Sequence, residues 1–188
     1  MNSRVSIPEV QRIPFAALSE ALAQQVLTLQ GAVWPNDEEE ESAAACAEYL
    51  LGDSARPRRE LFLIQVAGQV VAHAELFGRV IQAETHSFEV ACLGSVCVLP
   101  TLKGQGLGKA VAQAALAPID AGEFAVALFQ TPVPGFYERL GARRVENVWV
   151  NTHSALPTIY PWYDEFVMIY PAAYPWPART IDLNGPTF

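Results

Sequence analysis

Residues Val98 to Ala110 read VLPTLKGQGLGKA and place Gly104, Gly106 and Gly108 at alternate positions between Lys103 and Lys109. These are the two lysines of the chain; the rest of its 12 basic residues are arginines. Residue types in this pattern suit one chemistry, the holding of a phosphate group. Glycines let a diphosphate come close to the main chain. A helix that starts in such a loop points unpaired N–H groups and a partial positive charge at the ligand. Two ammonium groups add charge beside it. The plain alternative is a glycine-rich turn with solvated lysines.

Two familiar phosphate loops do not fit. A Walker A loop aligned on Gly108-Lys109 would have Lys103 where its first glycine belongs and Ala110 where its hydroxyl belongs. A dinucleotide fingerprint started at Gly104 or Gly106 puts its third glycine on Lys109 or Val111. What remains is an apolar strand broken by Pro100, then a loop that opens a helix.

The surrounding elements must position that loop. Leu18, Leu22, Val26 and Leu29 have near-helical spacing, so residues 18–33 are expected to form a helix. Asn36 is a good N-cap for a second helix through Gly52, with Asp37 to Glu40 on its positive end. RELFLIQVAGQVVAHAELFGRVIQ reads as two strands joined at Ala67-Gly68-Gln69. THSFEVACLGSVCVLP reads as a third strand, with a bulge or a close backbone approach suggested at Gly94. A helix from Gly104 or Gly106 to Leu116 is stopped by Pro118, and FAVALF (124–129) is a strand buried on both faces. VPGFYERLGA is a short helix ended by Gly141. RRVENVWV and EFVMIYP are the last strand candidates. The order α, α, β, β, β, α, β, α, β, β, with room for one more strand in front, predicts an α/β (α+β) fold. It has a mixed central sheet and helices on both faces.

On these residues a family resemblance can be stated. VCVLPTLKGQGLGKAV resembles the acetyl-CoA-binding motif of the GCN5-related N-acetyltransferase (GNAT) superfamily, V-x-V-x-P-x-x-[RQ]-G-x-G-[IL]-G, with Lys103 in place of the usual Arg or Gln. FYERLGA, Phe136 to Ala142, resembles the second signature, F-Y-x-x-x-G-[FA]. CLGSVCVLP is similar to a bacterial branch with L-G-P-[LV]-x-V-x-P before the loop. The resemblance covers residues 60–150. It implies the GNAT fold with a splayed cofactor cleft, and acetyl-CoA or coenzyme A as cofactor; the length of 188 residues fits a single domain over 1–188, with two small ones possible.

The resemblance also implies roles. The main chain of Val96 and Val98 would pair with the pantetheine arm, with Cys97 between them. The amides of Lys103, Gly104, Gln105, Gly106, Leu107, Gly108 and Lys109 would cradle the pyrophosphate. Tyr137 would protonate the leaving thiolate. A free phenol titrates near ~10 against ~8.5 for a cysteine-like thiol, so it keeps its proton until needed. The amide of Val98 would stabilise an oxyanion. A glutamate that many members carry on the strand before the loop is missing. Counting back by twos from Val96 reaches Gly94, Cys92 and Val90, and Glu89 falls on the other face. Glu75 and His73 share a face of the preceding strand and are within reach of the cleft, unless they form a solvated surface pair. His86 and His153 read as surface or turn histidines, and Cys92 and Cys97 as inert thiols.

For the acceptor, GAVWPNDEEEESAAACAE carries six of the 20 acidic residues. Trp34, Glu39 and Glu75 are the candidate substrate residues, for a polyamine or an aminoglycoside-like amine. The competing reading has these acids complementing the helix dipole and facing water. Residues 156–188 hold six of the 14 prolines and eight aromatics, too apolar for a disordered tail. They read as an ordered arm packed on the domain or on a partner subunit, so a homodimer is allowed for. PWPARTIDLNGPTF is similar to the tails of aminoglycoside 2'-N-acetyltransferases and nodulation acyltransferases.

Composition bounds the rest. A net charge of −8 argues against nucleic acid and for cationic small molecules. Cys46, Cys92 and Cys97 have no metal-ligand spacing and suit a reduced, cytoplasmic protein without a bound metal, and the dominance of arginine and alanine suggests a GC-rich bacterium. The first residues lack the apolar run of a signal peptide, and no stretch is long enough to span a membrane. The expected function is acetyl transfer to a primary amine, directly through a ternary complex. The alternatives are transfer of a longer acyl chain from acyl-CoA or acyl carrier protein, and an inactive CoA-binding module.

Overall fold

The computed structural model describes residues 7–35, 56–157, 159–185 and 187–188. The expected second helix, with Asp37 to Glu41 and Cys46, lies outside the described residues, as does Glu39. The chain forms two compact units. Among the described residues, the first holds 7–35, Arg58–Glu75 and Ser95–Ala115; the second holds 56–57, Leu76–Gly94 and the chain from Leu116 on.

The first unit is built on β1 (Gln11–Pro14), α1 (Glu20–Val33) and β2 (Glu60–Val66). It also takes the opening half of β3 (Gln69–Ala83) and the closing third of β4 (Ser87–Val98). β1 is the extra front strand, antiparallel to β2 from Gln11↔Leu63 to Pro14↔Glu60. Ser19 caps α1, its Oγ accepting from the Leu22 amide at 3.3 Å, and Glu20 faces the positive end. The helix buries Ala23, Val26 and Leu29, the i, i+3, i+6 stripe that its periodicity demands. Val26 and Leu29 pack with Leu61, Leu63, Val70 and Cys97. The β2–β3 turn has two residues, Ala67 (φ 50°) and Gly68 (φ 80°). Both are left-handed, which suits the right-handed twist of a hairpin.

The second unit contains the remainder of β3 and β4, then β5 (Ala127–Thr131) and α3 (Pro134–Glu138). β6 (Arg143–Arg144), β7 (Val148–Val150), β8 (Phe166–Tyr170) and β9 (Thr180–Asp182) complete it. The helix between β4 and β5, α2 (Leu107–Asp120), starts in the first unit and ends in the second. β4 and β5 are parallel over two residue pairs, Ala91↔Ala127 and Cys92↔Leu128. β5 and β8 are antiparallel from Ala127↔Tyr170 to Thr131↔Phe166. β6 pairs β8 antiparallel, β9 pairs β3 antiparallel, and β7 pairs β9 parallel. The mixed sheet is as expected.

Three expectations are corrected. Pro118 does not stop α2; the helix runs on to Asp120. The ring removes one donor, and the end still closes through Ala121 N–H to Ala117 O and Glu123 N–H to Pro118 O, each 2.9 Å. The strand placed at 124–129 lies at Ala127–Thr131, because its ladder with β4 begins only at Ala127. RRVENVWV is two strands, β6 and β7, with different partners. β4 is one continuous strand, and its left-handed residue is Ser95 (φ 53°), next to Gly94.

The residues after 156 are built into the second unit. Trp162, Val167, Ile169, Ile181 and Leu183 join Phe77, Leu128 and Trp149 in one buried cluster, with Tyr174, Trp176 and Phe188 packed against it. Arg143 donates to the carbonyls of Ala172 and Tyr174, and Asn147 donates to those of Pro177 and Arg179.

Candidate active site

The loop of the first unit has the shape a phosphate group needs. A one-turn 3-10 helix, Pro100–Leu102, follows β4. Gly104 (φ +80°) and Gly106 (φ +86°) then occupy the left-handed region on either side of Gln105. Only glycine adopts these angles freely. A β-carbon on Gly104 would meet nothing within 4 Å, so its main chain is open to an approaching group. A β-carbon on Gly106 would stand 3.1 Å from Ile7 Cδ1. The Ala110 amide donates to Gly106 O at 3.0 Å, so Gly106 opens α2. No acidic residue lies in the first turn of α2, which keeps its positive end unopposed. Lys103, Gly104, Gln105, Gly106 and Lys109 are exposed; Gly108 is half-buried and Leu107 is buried. Gly108 lies against the end of β4, where its β-carbon would be 3.4 Å from Val98 Cγ2.

The end of β4 leads into that loop. Val96 and Val98 are half-buried, and Cys97 between them is buried among apolar residues. Burial pushes the Cys97 thiol up to about 12, partly offset by the His73 backbone, so it stays protonated and unreactive near neutral pH. Cys92 is buried as well, and neither forms a disulfide. A coenzyme A group therefore fits the residues present. There are open left-handed glycine amides at a helix start, two exposed lysines, and a strand end that is not fully covered.

His73 and Glu75 are not a solvated pair. His73 is 0% exposed and Glu75 2%. Arg59 donates to Glu75 Oε2 from Nε at 2.9 Å and stands 2.8 Å from it through Nη2. The Arg59 guanidinium lies 4.1 Å from the centre of the Phe15 ring. Glu75, a candidate substrate residue, is thus engaged by Arg59. Its carboxylate is used inside the first unit, because an unpaired carboxylate could not be buried there. The count by twos from Val96 also needs correcting. Ser95 is left-handed, and a residue in that state breaks the alternation of faces, so positions before and after it cannot be compared that way. Trp34 ends α1 and is 49% exposed. His86 and His153 are exposed.

Tyr137 belongs to the second unit. It sits in α3, a helix closed by Gly141 (φ +97°) through Ala142 N–H to Tyr137 O and Gly141 N–H to Glu138 O. Its ring is 4.6 Å from Phe129 and 4.8 Å from Phe136, edge-on to the latter. The side chain is buried, and burial with the Asp164 carboxylate pushes its phenol well above the ordinary value. Sequence reasoning missed Asp164 and the residue that holds its loop. Gln130 Oε1 accepts from the amides of Tyr163 and Asp164 at 2.8 and 2.9 Å, and its Nε2 donates to Phe188 O at 2.8 Å. No spacing rule links residues so far apart in the chain.

With this geometry in view, residues 15–145 match the family profile described as Acetyltransferase (GNAT) domain. The chain belongs to the GNAT acetyltransferase family. A curated relative, aminoglycoside N(6')-acetyltransferase type 1 of Klebsiella aerogenes, is 34% identical over 89 residues. That match spans 47% of this chain and 59% of the relative. An acyl-CoA N-acyltransferase from Pseudomonas aeruginosa shares the fold at TM-score 0.58 and 17% identity. It covers 86% of this chain and 97% of its own. A GNAT family acetyltransferase from Brucella melitensis, solved in complex with acetyl-CoA, shares it at TM-score 0.52 and 18% identity, covering 72% and 83%. Among the described residues of this GNAT protein, no group of three or more His, Cys, Asp or Glu could hold a metal ion. No helix there is long and apolar enough to cross a membrane.

Proposed function

We propose that this GNAT protein is an acetyl-CoA-dependent N-acetyltransferase, one domain over 1–188. It transfers the acetyl group directly, in a ternary complex, to a primary amine of a small cationic molecule. The observation that carries this reading is the loop of left-handed Gly104 and Gly106 opening α2. When bound, acetyl-CoA supplies an activated acyl thioester. The main chain from Lys103 to Lys109 holds the diphosphate, with both lysines beside it. The main chain of Val96 and Val98 pairs with the pantetheine arm. Tyr137 keeps its phenolic proton across the neutral range, because burial and the Asp164 carboxylate raise its pKa, and donates it from Oη. The acceptor class is supported by the acidity of the chain and by the partial match to an enzyme named for aminoglycosides. Trp34 is the described residue that we assign to the acceptor, with Glu39 beside it in the sequence. The free Cys92 and Cys97 support a reduced, cytoplasmic setting.

Calorimetry with acetyl-CoA tests the cofactor. Wild type should bind and Gly106→Asp should not. Thiol release with polyamines and aminoglycosides then tests the acceptor. Absence of binding by wild type would refute the transferase reading.

A further inference from the structure

We infer that His73 is a positioning residue that clamps the left-handed residue Ser95 and thereby aims the main chain of Val96 and Val98. This rests on the proposal that these two residues pair with coenzyme A.

Ser95 is not glycine, yet its φ is 53° inside a strand. A lone left-handed residue with a side chain persists only where its surroundings hold it. His73, on the neighbouring strand β3, reaches the Ser95 carbonyl with Nδ1 at 3.1 Å. A carbonyl only accepts, so Nδ1 must carry the proton. The imidazole is 0% exposed, and its Nε2 has no hydrogen-bond partner. That is the arrangement of a neutral ring with its one N–H committed to Ser95. Were the proton on Nε2, the ring would bury an unsatisfied donor and turn a lone pair toward a carbonyl oxygen. Burial pushes the His73 pKa down to about 4, against the raising effects of Glu75 and the Ser95 carbonyl, so the neutral form holds at neutral pH. The charged groups around it, Glu75 and Arg59, are already paired with each other.

Ser95 directly precedes Val96. Its peptide orientation sets where the amide of Val96 points, and through the strand that of Val98. The imidazole touches neither cofactor nor acceptor in this scheme; it acts through one carbonyl. Sequence reading put His73 within reach of the cleft. The structure points to a fixed tautomer used as a donor.

The test compares His73→Leu, which removes the donor, with His73→Asn, whose Nδ2 can replace Nδ1. Coenzyme A affinity is measured by calorimetry, and Ser95 Cα and Cβ chemical shifts are read in the free protein. His73→Leu should weaken coenzyme A by about ten-fold, and His73→Asn should stay within about three-fold of wild type. The Ser95 shifts should leave their left-handed values in the leucine variant alone. Undiminished binding by His73→Leu, or unchanged Ser95 shifts in it, would overturn the clamp. If the leucine variant does not fold, the imidazole ¹⁵N shifts of wild type decide, since a proton on Nε2 contradicts the proposal. Failure of wild type to bind coenzyme A removes the functional reading, while the Ser95 shifts still judge the clamp separately.

Discussion

Arg59 and Glu75 form an ion pair at 2.8 Å with both side chains under 10% exposed, 6% and 3%. Two charges so buried depend on each other, since each is costly to keep out of water alone. Glu75→Gln should destabilise the protein by about 3–5 kcal/mol. Arg59→Met with Glu75→Leu should recover much of that loss, because no unpaired charge is left behind. Denaturant melts of the two variants check this. A single variant as stable as wild type would contradict the pairing.

Tyr137→Phe should lower kcat by about 10²–10⁴ while the melting temperature changes little. The ring still packs on Phe129 and Phe136. Because the phenol is raised in the folded state, its contribution to stability is complete below the unfolded value near ~10 and is lost as pH rises beyond it. No alkaline loss of activity from Tyr137 is expected below that point. A kcat–pH profile of wild type beside the variant reads both effects.

His73 has the opposite sign. Its pKa falls from 6.5 to about 4 on folding, so its contribution is complete above 6.5 and is lost as pH falls toward 4. The contribution is about 3 kcal/mol at neutral pH. Thermal melts between pH 7 and 4 should therefore drop more steeply for wild type than for His73→Asn. Equal slopes would show that the imidazole does not lose its proton on burial.

Gly104→Ala and Gly106→Ala should separate strain from crowding. Each forces a side chain into the left-handed region, at about 1–2 kcal/mol. A methyl at Gly104 meets open space, whereas at Gly106 it must displace Ile7 from 3.1 Å. Gly106→Ala should therefore be the less stable of the two. Both should bind acetyl-CoA more weakly than wild type in calorimetry.

Much of this protein was legible in short stretches of chain. The α1 stripe, the Ala67-Gly68 turn, the Gly141 helix end and the glycine loop are each set by steric limits and hydrogen bonds within a few residues. Gly104, Gly106 and Gly141 all take the positive φ that their positions suggest. The ends of elements were less legible. Pro118 stays inside α2, and β5 starts at Ala127, because helix-end bonds and ladder partners settle those limits.

By itself, the sequence determined the family motifs, the order of the elements from β2 to α3 and the loop that opens α2, since periodicity and backbone sterics act locally. Tertiary structure alone decided which polar groups are buried and what they meet. It paired Glu75 with Arg59, put a left-handed residue at Ser95, set Asp164 to act on Tyr137, and threaded the aromatic tail into the second unit. The physical reason is that desolvation and pairing depend on neighbours brought together from distant parts of the chain. No local pattern of residues carries that information.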